Sequence, residues 1–258
     1  LSNHSEDELA FRSGIRHAAR LVSAPAASLS ASFKASAEGS YLVTGGLSGI
    51  GIQAAQWLVA RGARHLILTG RQGLQTPGAA ERVAALQAQG ASGQVAAVDV
   101  ADLGAMQGLL SSVAPPLRGV LHCAGVGPMC PILQTDEVLL RSTLRPKVMG
   151  SWVLHQLLKD HALDFLVLFS SGSAVWGGAG QGAYAAANAF LDGLAHQRRM
   201  RGLPALSINW GVWAAGGISD ASAQAQLQKI GVLGMPSDSA FLALERLIGA
   251  GVVQQTVA

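Results

Sequence analysis

Residues 41–51 read YLVTGGLSGIG, an apolar run that passes directly into a glycine-rich turn. This pattern is typical of a buried parallel strand followed by a tight turn that opens a helix. Glycines let the backbone approach a pyrophosphate, and a helix N-terminus offers free N–H groups and a positive dipole end. The stretch therefore predicts a phosphate-binding loop, with a merely structural turn as the alternative. Its predicted binding residues are Thr44, Gly45, Gly46, Ser48, Gly49, Ile50 and Gly51.

Strand and helix patterns alternate along the chain from residue 40 onwards. Apolar strands are predicted at 41–45, 65–70, 94–100, 119–125, 164–171, 205–211 and 252–257. Helices are predicted from the glycine loop to about 60, near 78–89, and at 102–113, 145–160, 181–201 and after Pro236, with Lys147 in the first turn of the fourth. Such apolar strands are buried on both faces. The sequence therefore predicts an α/β fold, a Rossmann-like doubly wound parallel sheet of about seven strands with helices on both faces.

Three segments lie outside this alternation. Residues 7–22 are predicted to form two short extended pieces around Ser13 and Gly14. Residues 23–39 are mostly alanine and serine, so we predict a linker that has no pattern able to bury a face. Residues 212–233 are predicted as a loop with a short helix.

The composition limits the classes of function. Of 258 residues, 50% are hydrophobic and 13% are charged, and the net charge of +3 comes from scattered residues. There is no basic tract for nucleic acid, no signal-peptide pattern and no apolar run of the ~18 residues that cross a membrane. We therefore expect a soluble cytoplasmic domain. Cys123 and Cys130 have neither metal nor redox spacing, which predicts free thiols and no metal site.

The end of the second strand bears on the choice of cofactor. An NAD site usually has a carboxylate there, whereas this chain has Thr69, Gly70 and Arg71. Arg71 can pair with a 2′-phosphate, which favours NADPH; a solvated surface arginine is the alternative. Asp99 and Val100, after the third strand, are predicted to border the adenine, and an equal alternative makes Asp99 a helix N-cap.

Residues 169–192, FSSGSAVWGGAGQGAYAAANAFLD, hold the predicted catalytic groups. Tyr184 lies thirteen residues after Ser171 and four before Asn188, and Lys147 lies thirty-seven residues upstream of it. A tyrosine can give a proton to a carbonyl oxygen, and a nearby ammonium lowers the tyrosine pKa. Ser171 would hold the carbonyl, and Asn188 would orient the lysine or a water. A lone tyrosine would be a helix-face aromatic, but the four residues together predict carbonyl reduction.

These motifs resemble the short-chain dehydrogenase/reductase superfamily. That superfamily usually has a lysine four residues after the tyrosine, where this chain has Asn188, and the lysine appears at 147. The exchange is typical of the ketoreductase domains of modular type I polyketide synthases and of animal fatty acid synthases. LRPKVMGSWVLH, GQGAYAAANAFLD and HQRRMRGLPALSINWGVW are similar to the polyketide synthase domains.

The resemblance implies an NADPH-dependent oxidoreductase that acts on a β-ketoacyl group carried by an acyl carrier protein. The product would be a β-hydroxyacyl thioester, and Ala124 and Gly125 would join the cofactor-binding residues. Residues 1–22 resemble the last strands of the family's structural subdomain, and residues 40–258 resemble the catalytic subdomain. The implied partners are the carrier protein, the remaining structural subdomain and neighbouring synthase domains, with no nucleic acid and no membrane.

The resemblance also implies a stereochemical outcome. Trp176, eight residues before the tyrosine, marks A-type domains, which give an L-alcohol; plain packing is the alternative. Gly127-Pro128-Met129 stands where B-type domains carry an acidic pair, and Gln181 stands where A2-type domains carry histidine. An A1-type reductase is therefore implied.

Residues 212–233 resemble the family's lid, hinged at Gly216 and Gly217, and Leu227, Ile230 and Leu233 would cover the site. A surface loop and helix is the alternative for this segment. The competing functions are a redox-inactive scaffold with the same fold and a fatty-acid-type β-ketoacyl reductase.

Overall fold

A seven-stranded parallel sheet organises the chain. The computed structural model describes residues 6, 8–24, 33–127, 129–215, 217, 228–229 and 231–258. The sheet strands are β3 (Ser40–Thr44), β4 (His65–Gly70), β5 (Ser92–Ala97), β6 (Leu117–His122), β7 (Phe165–Ser171), β8 (Leu206–Trp210) and β9 (Gln254–Val257). Their order is β5-β4-β3-β6-β7-β8-β9, and every neighbouring pair is parallel. This confirms the predicted fold class.

Helices cover both faces of the sheet. They are α1 (Gly49–Ala60), α2 (Ala79–Ala88), α3 (Leu103–Ser111), α4 (Glu137–Leu144), α5 (Gly150–Leu157), α6 (Ser173–Trp176), α7 (Gly182–Met200) and α8 (Ser237–Ala250). One hydrophobic core joins α1, α2 and α8 to the sheet, and a second joins α3, α5 and α7 to the opposite face. Among the helices described, none has the length and apolar character needed to cross a bilayer.

The helix that carries Lys147 differs from the prediction. We expected it to begin near 145, but α4 begins at Glu137, where the Asp136 carboxylate accepts the Leu139 N–H at 2.7 Å. The chain then passes through a π-helical turn, Arg145–Met149, directly into α5. Pro146 has no N–H for an α-helical bond, so a break in the α-helical pattern there is tolerated. Lys147 therefore lies in the middle of a continuous helix and not in a first turn.

Two predicted strands are shifted toward the N-terminus. The structure places β5 at Ser92–Ala97 and β6 at Leu117–His122, while the prediction ran to residues 100 and 125. The Val98 N–H donates to both Gly70 O and Ala96 O, so the chain turns as soon as β5 ends. The residues predicted to bind cofactor after β5 and β6 accordingly lie in the turns at the carboxyl ends of these strands.

The first residues form an isolated hairpin. β1 (Leu9–Arg12) and β2 (Ile15–Ala18) pair antiparallel with each other and form a two-stranded sheet of their own. The end of the predicted linker is packed, contrary to expectation: Phe33 stacks on Trp57 with ring centres 5.2 Å apart, and its N–H donates to Glu245. An aromatic residue can bury a large area without any periodic pattern around it.

The strand order reverses between β3 and β6. In open α/β sheets, ligands bind in the crevice at the carboxyl ends of the strands beside such a reversal. The turns after β3 and β6 meet at this place, which makes it the candidate site.

Candidate functional site

The glycine loop is packed closely enough to exclude larger residues. Gly45 and Gly49 have φ of 66° and 55°, and a Cβ on Gly45 would lie 3.0 Å from the Ala124 backbone. A Cβ on Gly51 would collide with the carbonyl oxygen of Gly45. The Gly46 N–H donates to Thr69 O at 3.1 Å, which ties the loop to the end of β4. The loop is thus a fixed turn against the end of β6.

The first turn of α1 has the features of an anion-binding helix end. Ser48 precedes the helix in an extended conformation, and its hydroxyl makes no capping hydrogen bond. Ile50 is half-buried behind it. The main-chain N–H groups of this turn therefore have no side-chain cap, as a phosphate-binding helix requires. The residues present fit a dinucleotide cofactor.

Thr44 joins this loop to β6 through a buried histidine that the sequence reading missed. The Thr44 hydroxyl lies 2.7 Å from Nδ1 of His122 and accepts the Ala124 N–H at 3.4 Å. Burial, followed by the Lys147 charge, lowers the pKa of His122 to about 3, so its ring is neutral. The available signal was a lone histidine within an otherwise apolar strand.

The residues expected around the adenosine lie at the ends of β4 and β5. Thr69 is buried, and Arg71 is exposed just beyond β4. Asp99 accepts the Ala101 N–H at 2.9 Å and pairs with Arg145 at 2.9 Å. Burial raises the Asp99 pKa, but that hydrogen bond and the Arg145 and Arg71 charges outweigh it, so the net shift is downward.

Two details refine these expectations. The alternative of Asp99 as a helix N-cap is wrong, because Asp102 caps α3 and accepts the Ala105 N–H at 3.0 Å. Val100 is buried beneath α5: a Cβ on Gly150 would lie 2.6 Å from its side chain.

Lys147 is buried and points into the site. It is 3% exposed, and its Nζ donates to the main-chain oxygen of Phe169 at 2.7 Å. The same Nζ lies 5.9 Å from the centre of the Tyr184 ring. The side chain passes so close to Gly125 that a Cβ there would be 2.7 Å from Lys147 Cε. Burial lowers the pKa of Lys147 to about 8, while Cys123 and Asp192 act to raise it.

Tyr184, Ser171 and Asn188 meet at the end of β7 and the start of α7. Burial raises the pKa of Tyr184, and hydrogen bonds with the Ser171 and Asn188 side chains act to lower it. The expected lowering by Lys147 is not among these causes. The Asn188 amide donates to Tyr184 O at 2.8 Å, while its Oδ1 is buried without a partner among the described residues.

The residues implied in stereocontrol border the same site. Trp176 is 51% exposed and its indole folds across Gly172, where a Cβ would collide with the ring. Gln181 precedes α7. The Cys130 N–H donates to Gly180 O at 2.8 Å, which joins the turn after β6 to the turn before α7. Pro128, Gly216, Leu227 and Ile230 lie outside the described residues, and Leu233 is exposed.

A buried polar network beneath the site was also missed from the sequence. The Asp192 carboxylate on α7 accepts hydrogen bonds from Ser207 and, at 2.7 Å, from Asn209, both on β8. Asn209 also donates to Ser170 on β7 at 3.1 Å and accepts from Gln254 on β9 at 3.0 Å. The signal was a carboxylate eight residues after Tyr184, on the same face of the helix.

Comparison with known proteins places this arrangement in context. A family model described as "KR domain" matches residues 39–215. Pikromycin polyketide synthase component PikAIII of Streptomyces venezuelae is 41% identical over 237 residues, covering 91% of this chain and 15% of that protein. Erythronolide synthase EryA2 of Saccharopolyspora erythraea is 40% identical over 215 residues, covering 83% of this chain and 6% of that protein.

Solved structures agree with the sequence matches. An A-type ketoreductase from a modular polyketide synthase superposes with a TM-score of 0.92 at 40% identity, covering 98% of this chain and 54% of that one. The first ketoreductase of the tylosin polyketide synthase gives a TM-score of 0.90 at 41% identity, covering 98% and 55%. The chain thus spans about half of these structures and a small part of the curated relatives.

Proposed function

The chain belongs to the ketoreductase (KR) domains of modular polyketide synthases, and from this we propose that it reduces a β-ketoacyl thioester on an acyl carrier protein with NADPH. The product is the β-hydroxyacyl thioester. The observation that carries the proposal is the approach of the buried Lys147 ammonium to the Tyr184 ring, 5.9 Å from its centre, next to Ser171. These groups lie beside the glycine loop, where a dinucleotide cofactor fits.

Each side chain has a distinct part in the proposed reduction. A bound nicotinamide cofactor would supply the hydride to the carbonyl carbon. The Tyr184 hydroxyl donates its proton to the carbonyl oxygen as negative charge develops there. The Ser171 hydroxyl donates a second hydrogen bond to the same oxygen. The Lys147 ammonium stabilises the tyrosinate that remains, because opposite charges attract strongly where water is excluded.

NADPH is proposed over NADH because of the charge at the end of β4. Arg71 is exposed there, and the neighbouring carboxylate, Asp99, is paired with Arg145. A guanidinium can bind a 2′-phosphate with two parallel hydrogen bonds. A carboxylate that could accept the ribose 2′-hydroxyl is missing from residues 69–71.

The proposed stereochemical outcome is the L-alcohol of A1-type domains. The half-exposed Trp176 indole lies against Gly172, the residue after Ser171, where it can form one wall for the acyl chain. Gln181 takes the place of the A2-type histidine. Leu227 of the proposed lid would cover the acyl chain.

The proposed partners follow from membership of the ketoreductase domains of modular polyketide synthases. They are an acyl carrier protein with a phosphopantetheine-bound substrate, the remainder of the structural subdomain and adjacent synthase domains, in the cytoplasm. The hairpin β1–β2 supports the second of these, because Phe11 and Ile15 are 67% and 62% exposed and would gain from a covering surface.

The deciding experiment is a reduction assay with chiral product analysis. The chain is incubated with NADPH or NADH and either a racemic 2-methyl-3-ketopentanoyl thioester or an unbranched 3-ketoacyl thioester. It is tested both alone and extended at its N-terminus to the length of the matched ketoreductases. We expect NADPH consumption and one L-configured product. No turnover by either protein would indicate a redox-inactive scaffold. A D-configured alcohol would reject the A1-type outcome but retain the reductase, and preference for a straight-chain acyl thioester would favour the fatty-acid-type alternative.

A further inference from the structure

Asp192 is a buried carboxylate that the proposed reaction does not yet use. It is 8% exposed, and within the described part of the chain none of the ion pairs includes it. A buried charge without an ion-pair partner costs several kcal/mol unless hydrogen bonds compensate. Ser207 and Asn209 supply such bonds, and an apolar residue at this position would leave both of these buried donors without their acceptor.

The hydrogen bonds of Asp192 lead to the strand end that holds the catalytic groups. Asn209 donates to Asp192 and also to Ser170 Oγ and, at 3.4 Å, to Ser171 O. The Ser170 hydroxyl in turn donates to Asn188 O at 3.2 Å. The last three residues of β7 therefore have three tasks: Phe169 O accepts from Lys147, Ser170 joins the network, and Ser171 faces the site.

We propose that Asp192 is a positioning residue for the reductase: through Asn209 and Ser170 it fixes the end of β7 against α7, and its negative charge acts across that strand on Lys147. The inference rests on the proposed function. It assigns a role to a residue that does not touch substrate or cofactor.

The electrostatic part follows from the groups that face Lys147. These are His122 at the end of β6, Cys123 directly after it, and Tyr184 and Asp192 on α7. His122 is neutral near pH 7. Burial raises the pKa of Cys123 far above its ordinary value, so the thiol is neutral too. Asp192 is therefore the negative charge that favours the ammonium form of Lys147, and its removal lowers the Lys147 pKa further.

The test removes the negative charge of Asp192 and keeps the shape of its side chain. Asp192→Asn is compared with the wild-type chain and with Asp192→Asn/Asn209→Asp, which returns a carboxylate to the network. Asp160→Asn, which removes an exposed carboxylate, is the matched control. Turnover is measured against pH. In parallel, the titration of Lys147 is followed by NMR of labelled lysine side chains, of which the chain has only four.

The expected result is a shift in pH dependence and not a uniform loss. Activity requires protonated Lys147, so the alkaline limb of the pH profile of kcat should move about one pH unit lower in Asp192→Asn. This reduces kcat about tenfold above the midpoint, while the Kd for NADPH stays within about twofold. The double variant should return the limb toward its wild-type position, and Asp160→Asn should leave it unchanged.

Two results would overturn the inference. One is an equal loss of kcat at every pH, which would reduce Asp192 to a structural role. The other is a Lys147 titration that is the same with and without the Asp192 charge. Because the titration needs no turnover, it decides the inference even if the wild-type chain fails to reduce the thioester, an outcome that would reject the proposed function instead.

Discussion

Lys147 Nζ donates a 2.7 Å hydrogen bond to the main-chain oxygen of Phe169, at a position where the lysine is only 3% exposed. One neutral carbonyl cannot replace the hydration of an ammonium. Burial accordingly lowers the Lys147 pKa from 10.5 to about 8. The protein keeps a charge at this place at the expense of its own stability.

Lys147→Met should therefore stabilise the protein while it abolishes reduction. The unfolded chain binds the lysine proton more tightly than the folded chain, so the shift costs about 3 kcal/mol of unfolding free energy at pH 7. The cost declines as the pH rises from about 8 to 10.5. Urea unfolding at pH 7 and pH 10 measures it, and a variant no more stable than wild type at pH 7 would contradict the prediction.

Tyr184→Phe should remove turnover and leave cofactor binding intact. The substitution deletes only the hydroxyl that donates the proton, and general-acid groups contribute roughly 10²–10⁴-fold to rates. We expect kcat to fall at least about a hundredfold while the Kd for NADPH, followed by cofactor fluorescence, stays within about twofold. Retained turnover would remove Tyr184 from the acid role.

Arg71→Ala should discriminate between the two nicotinamide cofactors. Loss of a charge-assisted contact to the 2′-phosphate costs ~1.5–3 kcal/mol, which raises the KM for NADPH about 10- to 100-fold. The KM for NADH should stay unchanged. Arg141→Ala is the matched control, because Arg141 is exposed and pairs with Glu137 one helical turn away. Equal effects of Arg71→Ala on both cofactors would reject the phosphate contact.

Gly51→Ala should destroy cofactor binding, because the added Cβ would collide with the carbonyl oxygen of Gly45. Neither atom can move without opening the loop. Gly108→Ala, in α3, adds the same methyl where no described atom outside its own stretch of helix lies within 4 Å, and it should stabilise the helix by about 1 kcal/mol. The two variants are compared by thermal unfolding with and without NADPH. A Gly51→Ala protein that NADPH still stabilises would contradict the assignment of this loop.

His122 should make the fold acid-sensitive. Its pKa is about 3 in the folded chain and about 6.5 in the unfolded chain, so its contribution to stability is complete above 6.5 and is lost as the pH falls toward 3. The loss between pH 7 and pH 5 is about 2 kcal/mol. His122→Asn, which can still bond Thr44, should flatten this slope in urea titrations. An unchanged slope would place the acid sensitivity elsewhere.

The fold was predictable because the apolar residues of each strand indicate that the strand is buried. The run at 41–45 is mostly apolar and ends in glycine, and the structure places it inside the sheet with a neighbouring strand on each side. The position of Lys147 was not predictable in the same way. Proline is common in the first turn of a helix, so Pro146 does not reveal that the helix begins further upstream. The earlier start at Glu137 depends on a cap by Asp136.

The candidate site was predictable as a set of residues but not as a set of contacts. Spacing placed Tyr184 and Asn188 on one helical face, as found. It could not reveal that Lys147 bonds Phe169, because that contact depends on how a π-helical turn packs against β7. The buried hydrogen-bond network could not be predicted either, because its members belong to four separate elements that meet only after the sheet has formed. These members are Asp192, Asn209, Ser170 and Gln254.

The π-helical turn at Arg145–Met149 has a genetic consequence. Such a turn is equivalent to one extra residue inserted in an α-helix, and each residue rotates the helix by about 100°. Loss of the single codon for Val148 would rotate Lys147 by about 100° relative to α5 and swing the lysine away from the tyrosine. We expect such a deletion to abolish the proposed reduction although every proposed catalytic side chain is still encoded.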